Sequence, residues 1–457
     1  MYKRNQVLAA VIAALSPLAA PAATVCVNPG GTAGCLASIG EAMNYLDFDN
    51  DVINVAAGTY FENGFSIGTP VQIRGAGMDV TIIDGMVNGA NGAQIFKYDV
   101  WGQSGDSSLT GLTIRHGRRG VDAGRFNRIT LDHVRITENG PESGAGLVNN
   151  ASQVTIRNSL LDHNFATDTG SVAGCDWGGG SGGGIATLCG GGSVEVYDSA
   201  IVDNIASRWG GGLMLTGSSV IENSTISGNQ ANFPDAGLAG GGIFVGGPTL
   251  VRFSTIANNG AVGAGGVWVG SELRLYASLL QGNAGHACTG APTSLGYNVV
   301  SDASCNFTAT GDANGTDAKL KPLAMNGGLT PTHELGMASA AFDRVPTVEC
   351  TVFEDQRGVS RPQHKGCDAG AVEHVPTTAE LVAVLLRTVT GAGPGQSLFS
   401  KVAAVLAMVA NAHPRVACNM LGALRNEVNA QVGKKITAGQ AAAIVDAIED
   451  LEASLGC

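Results

Sequence analysis

The sequence predicts an all-β solenoid, a right-handed parallel β-helix with an N-terminal capping helix and a small C-terminal α-helical domain. Three observations predict it. A short phrase of glycine cluster, apolar alternation, turn and second alternation ending in Asn repeats from about Gly111 to Asn283. The composition is rich in turn formers and poor in charge, with 67 Gly, 14% charged and 5% aromatic residues. Beyond residue 376 the alternation gives way to Ala, Leu and Val at helical spacing.

The repeat is explicit. Gly-Ala-Gly-Leu147, Gly-Gly-Gly-Ile185, Gly-Gly-Gly-Leu213, Gly-Gly-Gly-Ile243 and Gly-Gly-Val267 open its copies. Phrases such as Ser-Thr-Ile-Ser-Gly-Asn229 and Ser-Leu-Leu-Gln-Gly-Asn283 close them. The closing Asn stands at 139, 164, 204, 229, 259 and 283, in steps of 25, 40, 25, 30 and 24 residues. A unit of roughly 24 residues with period-2 alternation is one coil, and the longer steps carry insertions. Ile226, Ile256 and Leu280 then stack into an axial apolar column, and each Asn amide can bond the next at the strand spacing of ~4.8 Å. Gln281 reads as exposed.

The other parts follow in chain order. Residues 1–23 read as a signal peptide: Lys3 and Arg4 precede an apolar run, and Ala20-Pro-Ala22 offers a cleavage site. Its removal would take the net charge from −12 to −14, a poor balance for binding nucleic acid. No later run is long and apolar enough to suggest a transmembrane segment. Residues 24–51 read as a cap, with Leu36, Ile39, Ala42, Met43 and Leu46 at helical spacing. Residues 52–310 are assigned to the β-helix, 311–375 to a closing region and 376–457 to the helical module. Helices are expected over Thr378–Thr388, Leu398–Ala410, Val416–Val432 and Ala438–Leu455, the last with a Thr437/Gln440 capping box.

Ten cysteines fall into neighbouring couples, Cys26/Cys35, Cys175/Cys189, Cys288/Cys305, Cys350/Cys367 and Cys418/Cys457. An even count in an exported chain argues for disulfides, and sequential pairing is the simplest of many connectivities. No CxxC or Cys/His ligand spacing suggests zinc, so no metal is expected. No cofactor is expected either, since no glycine-rich stretch follows a strand and opens a helix with Lys-Ser/Thr. Asp47-x-Asp49-x-Asp51 and Asp312-Ala-Asn314-Gly-Thr-Asp317 are incomplete calcium-loop fragments that ordinary polar turns explain.

The coils resemble the pectate-lyase-like superfold and the polymorphic outer-membrane protein repeats of bacteria. The strongest family signal runs from Pro322-Leu-Ala-Met-Asn-Gly-Gly-Leu329 through Thr332-His333-Glu-Leu335 to Ala338-Ser-Ala-Ala-Phe-Asp343. It continues with Asp355-Gln-Arg-Gly-Val-Ser-Arg-Pro362 and Cys367-Asp-Ala-Gly-Ala-Val-Glu373. These phrases resemble the closing region of the choice-of-anchor Q β-helix proteins. That resemblance implies a secreted or cell-surface bacterial protein, periplasmic or associated with the outer membrane, and it assigns no reaction. The motif sets of polygalacturonases and pectate lyases are not found.

Two columns are the candidates for activity. His116, Glu138, His163 and Asp203 align just before the Asn positions, with Arg115 and Asp162 beside them. Alternating acid and imidazole could run general acid/base chemistry on a sugar chain, or they are solvated turn residues. The second column is Val148, Ala186, Met214, Phe244 and Trp268, pointed outward by the period-2 geometry. It is either covered by the chain's own loops or, with Trp209, a platform for sugar rings or a partner. The functional expectation is a structural, adhesive or carbohydrate-binding scaffold whose partners are polysaccharide or cell-surface components. A polysaccharide lyase or glycoside hydrolase is the alternative.

Overall fold

The computed structural model describes residues 23–45, 51–87, 90–98, 106–125, 127–167, 179–188, 192–232, 239–393 and 396–457. Residues 1–22 of the expected leader, Asp47 and Asp49, and the Cys175/Cys189 couple lie outside them. Within the described residues the chain is a right-handed parallel β-helix. Its coils share a sheet of 19 strands, a second of nine and a third of four, each built from parallel neighbours. In the nine-stranded sheet the order runs from Cys288–Thr289 through Val267–Val269 and Ile243–Val245 down to Phe65–Ile67, one strand per coil.

Register follows from the alternation. Ile201 pairs with Ile226, Ile226 with Ile256, and Ile256 with Leu280, and all four are fully buried. Slipping one residue would turn the whole column toward solvent, so the register is held by burial. The Asn ladder stands at the corner after each of these strands. Each Asn Nδ2 donates to the next Oδ1 at 2.9–3.0 Å, from Asn139 through Asn164, Asn204, Asn229 and Asn259 to Asn283. The backbone N–H of each donates to that same Oδ1, which satisfies a buried corner amide.

A second ladder was not anticipated from the residues. Ser159, Ser199, Ser224 and Ser254 each donate a backbone N–H to the hydroxyl of the serine one coil on, at 3.1–3.3 Å. Ser278 ends the series on Asn298 Oδ1. The signal was a serine recurring at the start of the second alternation in every copy.

Both ends of the solenoid are closed. Helix α1 (Ile39–Met43) buries Ile39 and Ala42 in the same core as Val27 and Phe65. Thr24–Val27, expected in the cap, is itself a strand paired in parallel with Val52–Val55. At the other end Phe307 and the Cys288–Cys305 disulfide join that core. Asp312 caps the last corner by accepting from Asn298, and Asn314 bonds the Phe307 backbone, so the second calcium-like fragment serves turns.

Disulfides join Cys26 to Cys35, Cys288 to Cys305, Cys350 to Cys367 and Cys418 to Cys457. The C-terminal helices are α2 (Thr378–Val389), α3 (Ser397–Ala410), α4 (Pro414–Gln431) and α5 (Ala438–Leu455). They bury a separate core of Leu385, Val402, Val405, Leu421, Leu424 and Ile448. Capping boxes start α5 at Thr437/Gln440 and α2 at Thr377/Glu380. No helix among the described residues is long and apolar enough to cross a membrane.

Candidate functional site

The polar column lies where each coil turns out of a strand of the 19-stranded sheet, after Asp106–Arg115, Arg128–Thr137, Leu160–Asp162 and Ala200–Val202. His116, Glu138, His163 and Asp203 all have φ between 54° and 60°, in the left-handed region. Gly228, Asn258 and Gly282 hold the same place in later coils, with φ of 69°, 56° and 64°. The left-handed backbone favours Gly, Asn, Asp and His, so these residue types answer first to backbone geometry, and Glu138 is the exception.

The side chains nevertheless form a network across coils. His116 Nδ1 lies 2.9 Å from Asp84 Oδ1, and its Nε2 lies 3.1 Å from Glu138 Oε2. Arg115 Nε donates to Asp84 Oδ2 at 2.8 Å. One coil further, Arg135 grips Asp162 through two bonds of 3.0 and 2.7 Å, and His163 Nδ1 lies 2.8 Å from Asp162 Oδ2. Asp84 and Asp162 side chains are each only 4% exposed, whereas Glu138 and His163 are 54% and 59% exposed. Burial raises the Asp84 carboxyl, but hydrogen bonds from His116, the Met86 amide and Arg115 outweigh it and hold the group below its ordinary value. Its bond to Asp162 raises the Arg135 guanidinium further.

Of the four sequence candidates, His116 and Glu138 are therefore in contact, and His163 belongs to a neighbouring pair. Asp203 is exposed and makes no ion pair or side-chain hydrogen bond among the described residues. The positions overlooked as partners are Asp84 and Arg135. Asp84 sits in a coil that lacks the Asn phrase, and Arg135 reads as an ordinary outward residue of its strand.

The closing region frames this window. On later coils the same outer face is covered, because residues 318–371 dock on it. His333 Nε2 lies 2.9 Å from Ser227 Oγ, Thr225 donates to Gln356 Oε1, and Ala371 N donates to Thr255 Oγ1. Gln281, expected to be exposed, is half-buried and accepts from Ala318 N. The charged motif residues serve this docking. Arg361, fully buried, reaches Glu373 at 3.0 Å, the carbonyls of Asp368 and Gly370, and Asn223 Oδ1 on the solenoid. Asp355 accepts from Arg357 and from the Glu373 amide. Burial pushes Asp368 up to about 8 and also raises Glu373. A cleft of about 260 Å³ remains at the junction, lined among others by Asn158, Asp198, Glu354 and Arg357.

The outward apolar column is not an exposed platform. Val148, Ala186, Met214 and Phe244 are at most 3% exposed and form a cluster of their own with Leu188, outside the axial core. Trp209 and Trp268 are half-buried, and their rings flank Phe244 at 5.6 and 4.3 Å. The alternation did point these residues away from the axis; burial then leaves Met214 and Phe244 no face for a sugar ring. Among the described residues no group of three His, Cys, Asp or Glu is placed to hold a metal ion.

Strand pairing alone defines the class of this protein as a parallel β-helix. Among solved structures, the crystal structure of pectate lyase Pel9A resembles it, with a TM-score of 0.48 and 16% sequence identity. The likeness covers 78% of this chain and 97% of that one. No protein-family model matches the chain, and no curated protein matches it significantly.

Proposed function

We propose that this protein is an exported β-helix scaffold of the choice-of-anchor Q type that binds polysaccharide along the window from Asp84 to His163. In this reading residues 1–23 direct export, 24–51 cap the rod, 52–310 form it, 311–375 close it, and 376–457 serve attachment. The disulfides fit an oxidising compartment.

The observation that carries the binding reading is the commitment of the carboxylates. Asp84 and Asp162 are buried and each is held by an arginine and a histidine. Such groups orient their partners; they do not exchange protons with a ligand. The window then offers hydrogen-bonding and charged tips of both signs on successive coils, which suits a chain of hydroxyls. A second reading, polysaccharide cleavage, rests on the Asp84–His116–Glu138 row, in which an imidazole bridges a buried and an exposed carboxylate.

The test is to titrate the mature protein with a panel of neutral and acidic polysaccharides, measuring binding and any new reducing ends or unsaturated sugars. Saturable binding without product, weakened in Arg115→Ala and Arg135→Ala, supports the scaffold. Turnover by the parent that is lost in Glu138→Gln would establish the enzyme instead.

A further inference from the structure

Helix α3 (Ser397–Ala410) is apolar on two sides. Leu398, Val402 and Val405 face the bundle core and are buried. Phe399, Ala403, Leu406, Ala407 and Ala410 are exposed, with Phe399 at 42% and Leu406 at 39%. They recur at intervals of three and four residues, so they form one stripe along a single helix face. The only charge on α3, Lys401, is engaged by Glu427 of α4.

We infer that this stripe is a self-association surface, occupied by α3 of a second copy of this chain in antiparallel orientation. The stripe is self-complementary in that arrangement. About a twofold axis between residues 404 and 405, Phe399 of one copy faces Ala410 of the other, and Ala403 faces Leu406. Each large side chain therefore meets a small one, as knobs in holes. A parallel pairing would instead set Phe399 against Phe399 and Leu406 against Leu406.

Charge favours the same partner. Residues 377–457 contain six Lys and Arg (387, 401, 415, 425, 434, 435) and six Asp and Glu (380, 427, 446, 449, 450, 452), so the bundle is neutral. The acidic excess of the chain lies in the remainder, so two copies meeting through their bundles avoid the repulsion that two solenoids would feel. A 14-residue helix spans about 21 Å. A seam of that length is at the small end of stable interfaces, so the dimer is expected to be weak.

The experiment is sedimentation equilibrium of the full mature chain up to about 100 µM, with Ala403→Glu, Leu406→Ser and, as a control on an exposed polar site, Asn426→Glu. The expected result is a reversible dimer in the parent and the control. Ala403→Glu should weaken it by at least about 100-fold, because each copy brings an unpaired carboxylate into the seam. Thermal melting of Ala403→Glu should match the parent, as Ala403 is exposed; if that variant misfolds, Leu406→Ser gives the same reading. A parent that stays monomeric overturns the inference, as does a dimer that survives both substitutions. A monomeric parent that sediments with phosphatidylcholine vesicles through Phe399 and Leu406 would assign the face to lipid and equally overturn it.

Discussion

Replacing Asn229 by Ala tests the ladder that holds the coils in register. Asn229 is fully buried, and its side chain makes four hydrogen bonds. Its Oδ1 accepts from the backbone N–H and the Nδ2 of Asn204, both at 3.0 Å, and its Nδ2 donates to Ile201 O and Asn259 Oδ1. Asn204 Nδ2 keeps two carbonyl partners and Asn259 Oδ1 keeps the Asn229 backbone N–H, so these groups stay satisfied. The Asn204 N–H is orphaned and the Ile201 carbonyl loses a donor. At about 1–3 kcal/mol for each buried group, the expected loss is about 4 kcal/mol. For a solenoid of roughly 290 residues the unfolding entropy near the midpoint is about 0.6 kcal/mol/K, so the melting temperature should fall by about 7 °C. Gln230→Ala, one residue on at an exposed position, should leave it within about 1 °C. Equal shifts in the two variants, followed by circular dichroism and calorimetry, would refute the ladder as a source of stability.

Arg361→Met should cost about 3–5 kcal/mol, since it leaves Glu373 buried without its cation and the Asp368 and Gly370 carbonyls without their donor. Limited proteolysis should then cut between residues 318 and 371 before it cuts the coils; unchanged resistance would count against the clasp. The depressed pKa of Asp84 makes its ionised form stabilising: the contribution is complete above its ordinary value of 3.8 and is lost as pH falls through the lower folded value. Asp84→Asn should therefore flatten the stability profile below about pH 4, and an unaltered acid limb in urea melts would exclude the effect. Non-reducing peptide mapping should recover the four observed disulfides and join Cys175 to Cys189. A link between a solenoid cysteine and Cys418 or Cys457 would contradict local pairing.

Several features were legible because they depend on near neighbours along the chain. The step of the Asn phrase encodes the coil, since a residue that must return to the same corner recurs once per turn. Alternation tells which side chains face the axis, so the Ile226, Ile256 and Leu280 column could be named in advance. Helices α2 to α5 lie close to where spacing and breaks put them, because capping and periodicity act within a few residues.

What only the tertiary structure decided is the fate of the outward faces. Met214 and Phe244 point away from the axis as the alternation requires, yet they are buried, and alternation carries no information about what lies beyond a face. The motif from Asp355 to Glu373 is in one dimension a phrase whose charged residues have no stated partners. In three it is the buried clasp of the closing region, because Arg361 meets Asn223 across 138 residues of chain. The window likewise exists where that region stops short, leaving Arg115, Arg135 and His163 in solvent while Thr225 and Ser227 are covered. Contacts over such separations depend on how the whole coil stack places its surface, and no local pattern of residues records that placement.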